Sequence, residues 1–281
     1  MHLVLVFEPL REPLWLLRRR VAHEDCTTHE SLPFIKTHIR ILLEGLDYMH
    51  SQGRVIHTDL KLDNIMVAFE HQSTMESFLQ RQTSHPMGRK RNLGGRTVYR
   101  CHNDFGPIFR DLGKMIPQIT DFGLAQQPGG RAEPLIHPIQ PNEFRAPEVL
   151  LGIGWSYSAD MWNFGAMPRT QPYSPAQHLA DMIAIVGAIP PSLIERERQM
   201  RHWRWSPPAV NPDGKLCDNV AEFYGGPFLA EDENELPRCV REEGCADLFV
   251  EFMKRMLCWV PEERATAAEL LNDAWLDSNS R

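Results

Sequence analysis

The stretch VIHTDLKLDNIM, residues 55–66, places an acid, a base and an amide close together between apolar flanks. The apolar residues on both sides predict two short strands joined by a polar turn. In such a turn the Asp59 carboxylate can accept a proton from a hydroxyl group, and the amide oxygen of Asn64 is a good ligand for Mg²⁺. Lys61 can place a positive charge on a phosphate, and His57 is more typical of a residue that supports the turn. Alone, the same letters also fit an ordinary polar turn.

Four further motifs follow in order along the chain. TDFG, residues 120–123, places Asp121 at the end of the apolar strand PQIT and before a glycine that permits a sharp turn. A similar NDFG at residues 103–106 has no apolar strand before it and is rejected for that reason. The other three motifs are FRAPEVL at 144–150, ADMWNFG at 159–165, and PEERATAAELL, which contains Arg264.

In this order the five motifs resemble the catalytic lobe of eukaryotic protein kinases, and the likeness covers most of the chain. The resemblance implies an α+β, protein-kinase-like fold with a mainly α-helical C-terminal lobe and a few short strands. It implies ATP and Mg²⁺ as cofactors, and phosphoryl transfer to Ser or Thr hydroxyls of a protein substrate. Asp59 would be the catalytic base, Lys61 would contact the γ-phosphate, and Asn64 and Asp121 would hold Mg²⁺.

The resemblance also implies structural roles for residues outside the reacting centre. Glu148 and Arg264 would form a buried ion pair that ties the activation segment to the lower lobe. Asp160 would anchor the catalytic loop from below, and His57 would support the same loop.

Residues 1–12 are interpreted as a remnant of the hinge strand, in which the backbone of Glu8 and Leu10 would meet the adenine. Only six residues precede Phe7, and they contain no glycine-rich loop, lysine or glutamate of the kind that a kinase upper lobe supplies. The resemblance therefore predicts a partial kinase domain over residues 1–281, with the N-terminal lobe largely absent. It also predicts weak or no binding of Mg·ATP by this chain.

Details within the motifs narrow the resemblance. Thr58 replaces the arginine that usually precedes the catalytic aspartate and binds a phosphorylated activation loop, so that mode of switching is not expected. HTD, the long insertion at residues 70–116 and AQHLADMIAIVG together resemble the SR-protein kinases, especially their divergent fungal relatives. That family phosphorylates Arg/Ser-rich segments. The acidic run EDENE at residues 231–235 either attracts such a basic peptide or is a solvated loop.

Two other readings remain open at this point. The chain could be a catalytically impaired, pseudokinase-like binding protein or a truncated gene product, since the phosphate clamp has no counterpart. A small-molecule phosphotransferase of kinase-like fold is a third reading, against which FRAPEVL, Asp160 and Arg264 count.

Composition limits the class of partner and the compartment. The formal net charge is −7, which argues against direct nucleic-acid binding, and no apolar run is long enough for a membrane helix. The six cysteines form no C-x-x-C pair, which favours reduced thiols and a cytoplasmic and/or nuclear location. The insertion is basic, and fits either a solvated loop or a localisation signal or partner contact. The sequence gives no oligomeric state.

Hydrophobic periodicity gives three local expectations. Residues 3–7 read as a strand, and residues 31–52 as a long helix capped by Ser31. The helix that contains Asp160 is expected to be short or broken, because Pro168 interrupts it.

Overall fold

The computed structural model describes residues 4, 6–22, 28–100, 102, 104–106, 112–128, 135–166, 173–225 and 248–277. The chain forms two compact units. The first contains Met1–Leu42 and Leu62–Thr120, and the second contains Leu43–Lys61 and Asp121–Arg281. Within the described residues, no helix has the length and apolar character needed to cross a membrane.

The first unit is built on a three-stranded antiparallel sheet in the order β1-β2-β5. Its strands are β1 (Glu12–Pro13), β2 (Ile65–Val67) and β5 (Pro117–Ile119). Helix α1 (Leu14–Ala22) follows β1 directly and turns Leu17 toward the sheet, where it packs against Val67 and Met115. This small core fixes the strand that leads out of the catalytic loop.

The expected strand at residues 3–7 is wrong where the structure describes it. Val4, Val6 and Phe7 lie outside any strand and are 74–90% exposed, while Met1–Leu3 and Leu5 lie outside the described residues. An apolar run becomes a strand only where a neighbouring strand accepts its backbone hydrogen bonds. In the described part of this unit, β2 offers that pairing to Glu12 and Pro13 instead.

The long helix begins earlier than its sequence signals indicate. Helix α2 (Thr28–Tyr48) starts three residues before Ser31, so the predicted cap at Ser31 is wrong. Pro33 lies inside the helix, where it removes one backbone hydrogen-bond donor. A π-helical turn (Met49–Gly53) continues the helix, and Arg54 then takes a left-handed conformation with φ of 50°. The predicted end at residue 52 lies within this π-helical turn, one residue before its last residue, Gly53.

The segment between the catalytic loop and TDFG is more regular than its polar composition indicates. It contains helix α3 (Gln72–Ser84) and a hairpin of β3 (Arg89–Arg91) and β4 (Thr97–Tyr99). The hairpin pairs Arg89 with Tyr99 and leaves its residues largely exposed. Sequence periodicity missed these elements because little of their surface is buried.

The second unit is mainly helical. Its helices are α4 (Pro147–Leu151), α5 (Ser158–Gly165), α6 (Pro175–Val186), α7 (Pro191–Met200), α8 (Val220–Tyr224), α9 (Leu248–Met256) and α10 (Ala267–Leu271). A short hairpin, β6 (Ala209–Val210) and β7 (Leu216–Cys217), lies between α7 and α8. The core is formed by buried apolar side chains of α4 to α7 together with Ile56 and Trp259.

Helix α5 is short, as the sequence predicts. It ends at Gly165, and Ala166 is already extended with ψ of 144°. Pro168 itself lies outside the described residues. A side chain at Gly165 would meet Met256 Cβ at 3.0 Å, so this glycine allows α9 to approach α5 closely.

Candidate active site

The loop around Asp59 is held by one buried carboxylate. Asp160, near the start of α5, is fully buried and accepts backbone N–H groups of the loop. His57 N donates to Asp160 Oδ2 at 2.7 Å, and Thr58 N donates to Oδ1 at 2.9 Å. His50 Nε2 lies 2.9 Å from the same Oδ2. The residue that the kinase resemblance assigns as an anchor therefore contacts the two residues directly before Asp59.

Thr58 adopts a conformation that β-branched residues rarely take. Its φ is 68°, in the left-handed region, which costs free energy and persists only where the surroundings enforce it. The bond to Asp160 holds its amide, and Thr58 Oγ1 donates to the carbonyl of Leu124 at 2.8 Å. The hydroxyl thus ties the catalytic loop to the segment after TDFG, in place of the arginine that usually stands here.

Asp59 and Lys61 form a close pair. Lys61 Nζ lies 3.0 Å from each carboxylate oxygen of Asp59, and the lysine side chain is 27% exposed. Asp59 N donates to His57 Nδ1 at 3.3 Å, which places the neutral ring's proton on Nε2. The loop therefore presents an acceptor and a cation side by side.

Asp121 also has a strained backbone. Its φ is 62° and ψ is 66°, and its Oδ1 accepts the amide of Gly123 at 3.4 Å. Phe122, the next residue, places its ring 5.3 Å from the His57 ring. Strained residues of this kind concentrate at functional sites, and here the strain presents an exposed carboxylate.

Asn64, Glu8 and Leu10 belong to the first unit. Asn64 is buried, and its backbone carbonyl accepts hydrogen bonds from both the amide and the hydroxyl of Thr120, at 2.8 and 2.9 Å. These bonds connect the residue directly before β2 to Thr120, the residue directly before Asp121. Within the described residues, no backbone hydrogen bond involves the Glu8 carbonyl or the Leu10 amide, and Glu8 is exposed.

The two residues assigned to metal binding have the chemistry that Mg²⁺ prefers. Both offer oxygen, an amide from Asn64 and a carboxylate from Asp121, and Mg²⁺ in such sites takes its other ligands from phosphates and water. Over the described ranges no cluster of three or more His, Cys, Asp or Glu side chains could hold a metal alone. Each of the two residues, taken by itself, offers an oxygen donor of the kind that Mg²⁺ accepts alongside phosphate ligands.

Comparison with known families decides the identity of the chain. The protein kinase domain model matches residues 101–276, more than half of the sequence. The chain belongs to the protein kinase family. A serine/threonine protein kinase of Aspergillus fumigatus is 32% identical over 98% of this chain, and a kinase of Physarum polycephalum named SRPK is 25% identical over 98%.

These relatives are longer than the kinase chain described here. The chain spans 65% of the Aspergillus kinase and 67% of the Physarum kinase. A crystal structure of a kinase domain superposes with a TM-score of 0.55 at 20% identity, covering 96% of this chain and 72% of its own. That similarity supports the α+β kinase-like fold.

A buried ion pair joins Glu148 of α4 to Arg264. Arg264 Nη1 and Nη2 donate to the two carboxylate oxygens of Glu148 at 2.5 and 2.6 Å. The guanidinium also donates to the carbonyls of Cys258 and Ser158, and lies over the Trp162 ring at 5.0 Å. The geometry joins α4 to the segment before α10.

A second network in this part of the kinase was missed from the sequence. Gln140 has φ of 71°, and its side chain donates to the carbonyl of Ala159 and to Asn163 Oδ1 while accepting the amide of Ala146 at 2.7 Å. Arg145 donates to the Gln140 carbonyl at 3.1 Å and lies 4.5 Å from the Tyr224 ring. Arg145 lies within FRAPEVL, so the motif indicated that this segment matters. Gln140 lies outside every motif, and nothing in the sequence indicated its role.

Proposed function

We propose that this protein transfers the γ-phosphoryl group of ATP to Ser or Thr hydroxyls of protein substrates. The observation that carries the proposal is the Asp59–Lys61 pair on a loop whose backbone is fixed by Asp160. A phosphoryl-transfer enzyme works mainly by positioning and electrostatics, and a rigid acceptor beside a cation supplies both.

Each residue has a separate task in this proposal. The Asp59 carboxylate accepts a hydrogen bond from the substrate hydroxyl, orients it and takes its proton. Lys61 places its charge on the phosphoryl group being transferred. Asn64 and Asp121 would hold Mg²⁺, which would supply positive charge to neutralise the phosphates. The backbone of Glu8 and Leu10 meets the adenine.

Arg/Ser-rich segments are the proposed substrate class. The support is the resemblance in HTD and the long insertion, together with the kinase named SRPK among the relatives. The acidic run EDENE lies outside the described residues. The class is tested by comparing kcat/KM for matched Arg/Ser, Lys/Ser and Ala/Ser peptides, with the Arg/Ser peptide expected to be best by about tenfold or more.

Activity is tested by transfer of radiolabelled phosphate from ATP to an Arg/Ser-rich peptide. Asp59→Asn is expected to lower kcat by roughly 100-fold or more, since general acid–base catalysis typically contributes this much. Asp121→Asn is expected to abolish transfer through loss of the metal. Asp63→Asn is the matched control, because Asp63 is an exposed carboxylate of the same loop. Absence of transfer by the unaltered protein, or full activity of Asp59→Asn, would refute the proposal.

A cytoplasmic and/or nuclear location is also proposed. Its support is the hairpin β3–β4, where Arg89, Lys90 and Arg91 are all exposed. Microscopy of a fluorescent fusion, compared with a variant in which these three residues are Gln, tests whether the basic strand contributes to nuclear entry.

A further inference from the structure

The hinge segment passes from exposed to buried at Arg11. Val6, Phe7, Glu8 and Pro9 are exposed, whereas Arg11 is 1% exposed. The Arg11 amide donates to the carbonyl of Val67 at 2.8 Å, which attaches the hinge to β2. Arg11 is therefore the first buried residue after the segment proposed to meet the adenine.

The Arg11 side chain contacts the insertion. Its Nη1 donates to both carboxylate oxygens of Glu70 at 2.7 and 2.9 Å, and its Nη2 donates to the carbonyl of Gly106 at 3.0 Å. The side chains of Arg11 and Glu70 are both fully buried. Both carboxylate oxygens accept from one guanidinium nitrogen, and Nη2 is held by Gly106, so these charge-assisted contacts fix the position of the guanidinium.

Glu70 and Gly106 lie at opposite ends of a folded piece of the insertion. Phe105 packs against Phe69 and Phe78 with ring centroids 5.0 and 4.7 Å apart. Thr74 Oγ1, in the first turn of α3, donates to Glu70 Oε1 at 3.3 Å. The two ends of this piece thus converge on one guanidinium.

A second carboxylate completes the buried cluster. Glu12 Oε1 lies 3.6 Å from Arg11 Nε, and Glu12 Oε2 lies 3.3 Å from Arg20 on α1. Burial raises the pKa of Glu12 above its ordinary value, against the opposing effect of the two arginines. With Glu70, the cluster joins the hinge, α1 and the insertion.

We propose that Arg11 is a positioning residue through which the insertion sets the geometry of the hinge and thereby the affinity for the adenine nucleotide. The inference rests on the proposed function, because it takes Glu8 and Leu10 as the adenine contacts. In this arrangement the insertion is a support for the nucleotide site, and a change in residues 70–106 is transmitted to the hinge by the Arg11–Glu70 pair.

The test uses Arg11→Met, with Arg89→Met as the matched control on the exposed strand β3. Arg11→Met is expected to raise the KM for ATP and the Kd for Mg·ADP by about tenfold, equivalent to about 1.4 kcal/mol. The KM for the peptide and kcat are expected to stay unchanged, which a general loss of structure would not produce. Arg89→Met is expected to leave all four constants unchanged.

A second variant guards against misfolding of the first. Arg11→Met with Glu70→Met replaces the buried pair by apolar side chains, an exchange that often preserves stability while removing the directional contact. This double variant is expected to show the same rise in KM and Kd. If it folds with cooperative thermal unfolding and its nucleotide constants match those of the unaltered protein, the proposal is overturned.

NMR order parameters separate this proposal from the proposed function. The backbone amides of Phe7, Glu8 and Leu10 are expected to become more mobile in both Arg11 variants and to stay unchanged in Arg89→Met. This measurement needs no ligand. If the unaltered protein binds no Mg·ADP but these amides become more mobile in the Arg11 variants, the proposed function fails and the link from Arg11 to the hinge stands. If the mobility of these amides is unchanged in the variants, that link is refuted.

Discussion

Arg264 and Glu148 meet through two charge-assisted hydrogen bonds of 2.5 and 2.6 Å, with both side chains fully buried. Arg264→Ala would leave the Glu148 carboxylate buried without its charge partner. Breaking a buried pair in this way typically costs about 3–5 kcal/mol. We expect urea unfolding to show a loss of this size. Arg196→Ala is the control, because Arg196 and Glu262 form an exposed pair that is worth about 0–1 kcal/mol. Equal losses for the two variants would contradict the assignment.

The Glu148–Arg264 pair could be predicted from the sequence, whereas the Arg11–Glu70 pair could not. Glu148 and Arg264 lie in motifs with a fixed order, so the resemblance linked two residues far apart in the chain. Arg11 and Glu70 lie in no motif, and a buried ion pair leaves no trace in hydrophobic periodicity. Pairing between distant segments is set by tertiary contacts, which local patterns do not encode.

The same distinction holds for backbone conformation. A short α5 could be predicted from Pro168, because a proline restricts its own stretch of chain. The left-handed Thr58 did not follow, because its conformation is enforced by Asp160 and Leu124 from other parts of the chain. Asp59, Lys61, Asn64 and Asp121 were named from motif order alone, and how each is held was visible only in the structure.

Asp160→Ala is expected to loosen the catalytic loop. The substitution removes the acceptor of the His57 and Thr58 amides, and Thr58 would no longer be held at φ of 68°. Each of the two buried donors left without an acceptor costs about 1–3 kcal/mol, so we expect a loss of about 2–6 kcal/mol in unfolding free energy. Phosphoryl transfer should fall with it.

Asp213→Ala is the control for the Asp160 variant, since Asp213 is an exposed carboxylate in the turn between β6 and β7. It should unfold like the unaltered protein. If Asp160→Ala is as stable as the unaltered protein, the two hydrogen bonds from the His57 and Thr58 amides do not stabilise the loop.

Thr58→Val tests the tie between the catalytic loop and the segment after TDFG. The change keeps the shape of the side chain but removes the hydroxyl that donates to Leu124. We expect a loss of about 0.5–1.5 kcal/mol in chemical denaturation, the net value of one hydrogen bond. Thr58→Ser keeps the hydroxyl and should recover that part of the loss. A serine variant as unstable as the valine variant would show that the methyl group matters instead.

Glu12 gives the protein a pH dependence whose sign follows from its burial. Since burial raises the pKa of this carboxyl above its ordinary value near 4.5, the native state holds the proton to higher pH than the unfolded state does. The native state therefore loses stability as pH rises from about 4.5 through the raised pKa. Glu12→Gln lacks this contribution.

The difference in unfolding free energy between the unaltered protein and Glu12→Gln should accordingly move in favour of the variant as pH rises. The change is about 1.4 kcal/mol for each unit by which the pKa is raised. Urea unfolding of both proteins at about pH 5 and at about pH 8 measures it. A difference that moves in favour of the unaltered protein would mean that Arg11 and Arg20 outweigh the burial of the carboxyl.

Gly152 closes α4 in a place that admits no side chain. Its φ is 65°, and a Cβ there would lie 2.4 Å from Val220 Cγ2, far inside contact distance. Gly152→Ala would add the left-handed cost of roughly 1–2 kcal/mol to an overpacking cost of about 1–3 kcal/mol. Gly214 has φ of 79° with no atom within 4 Å of the same position, so Gly214→Ala isolates the conformational part. Thermal unfolding should show the Gly152 variant losing clearly more, and equal shifts would mean that Val220 moves aside without cost.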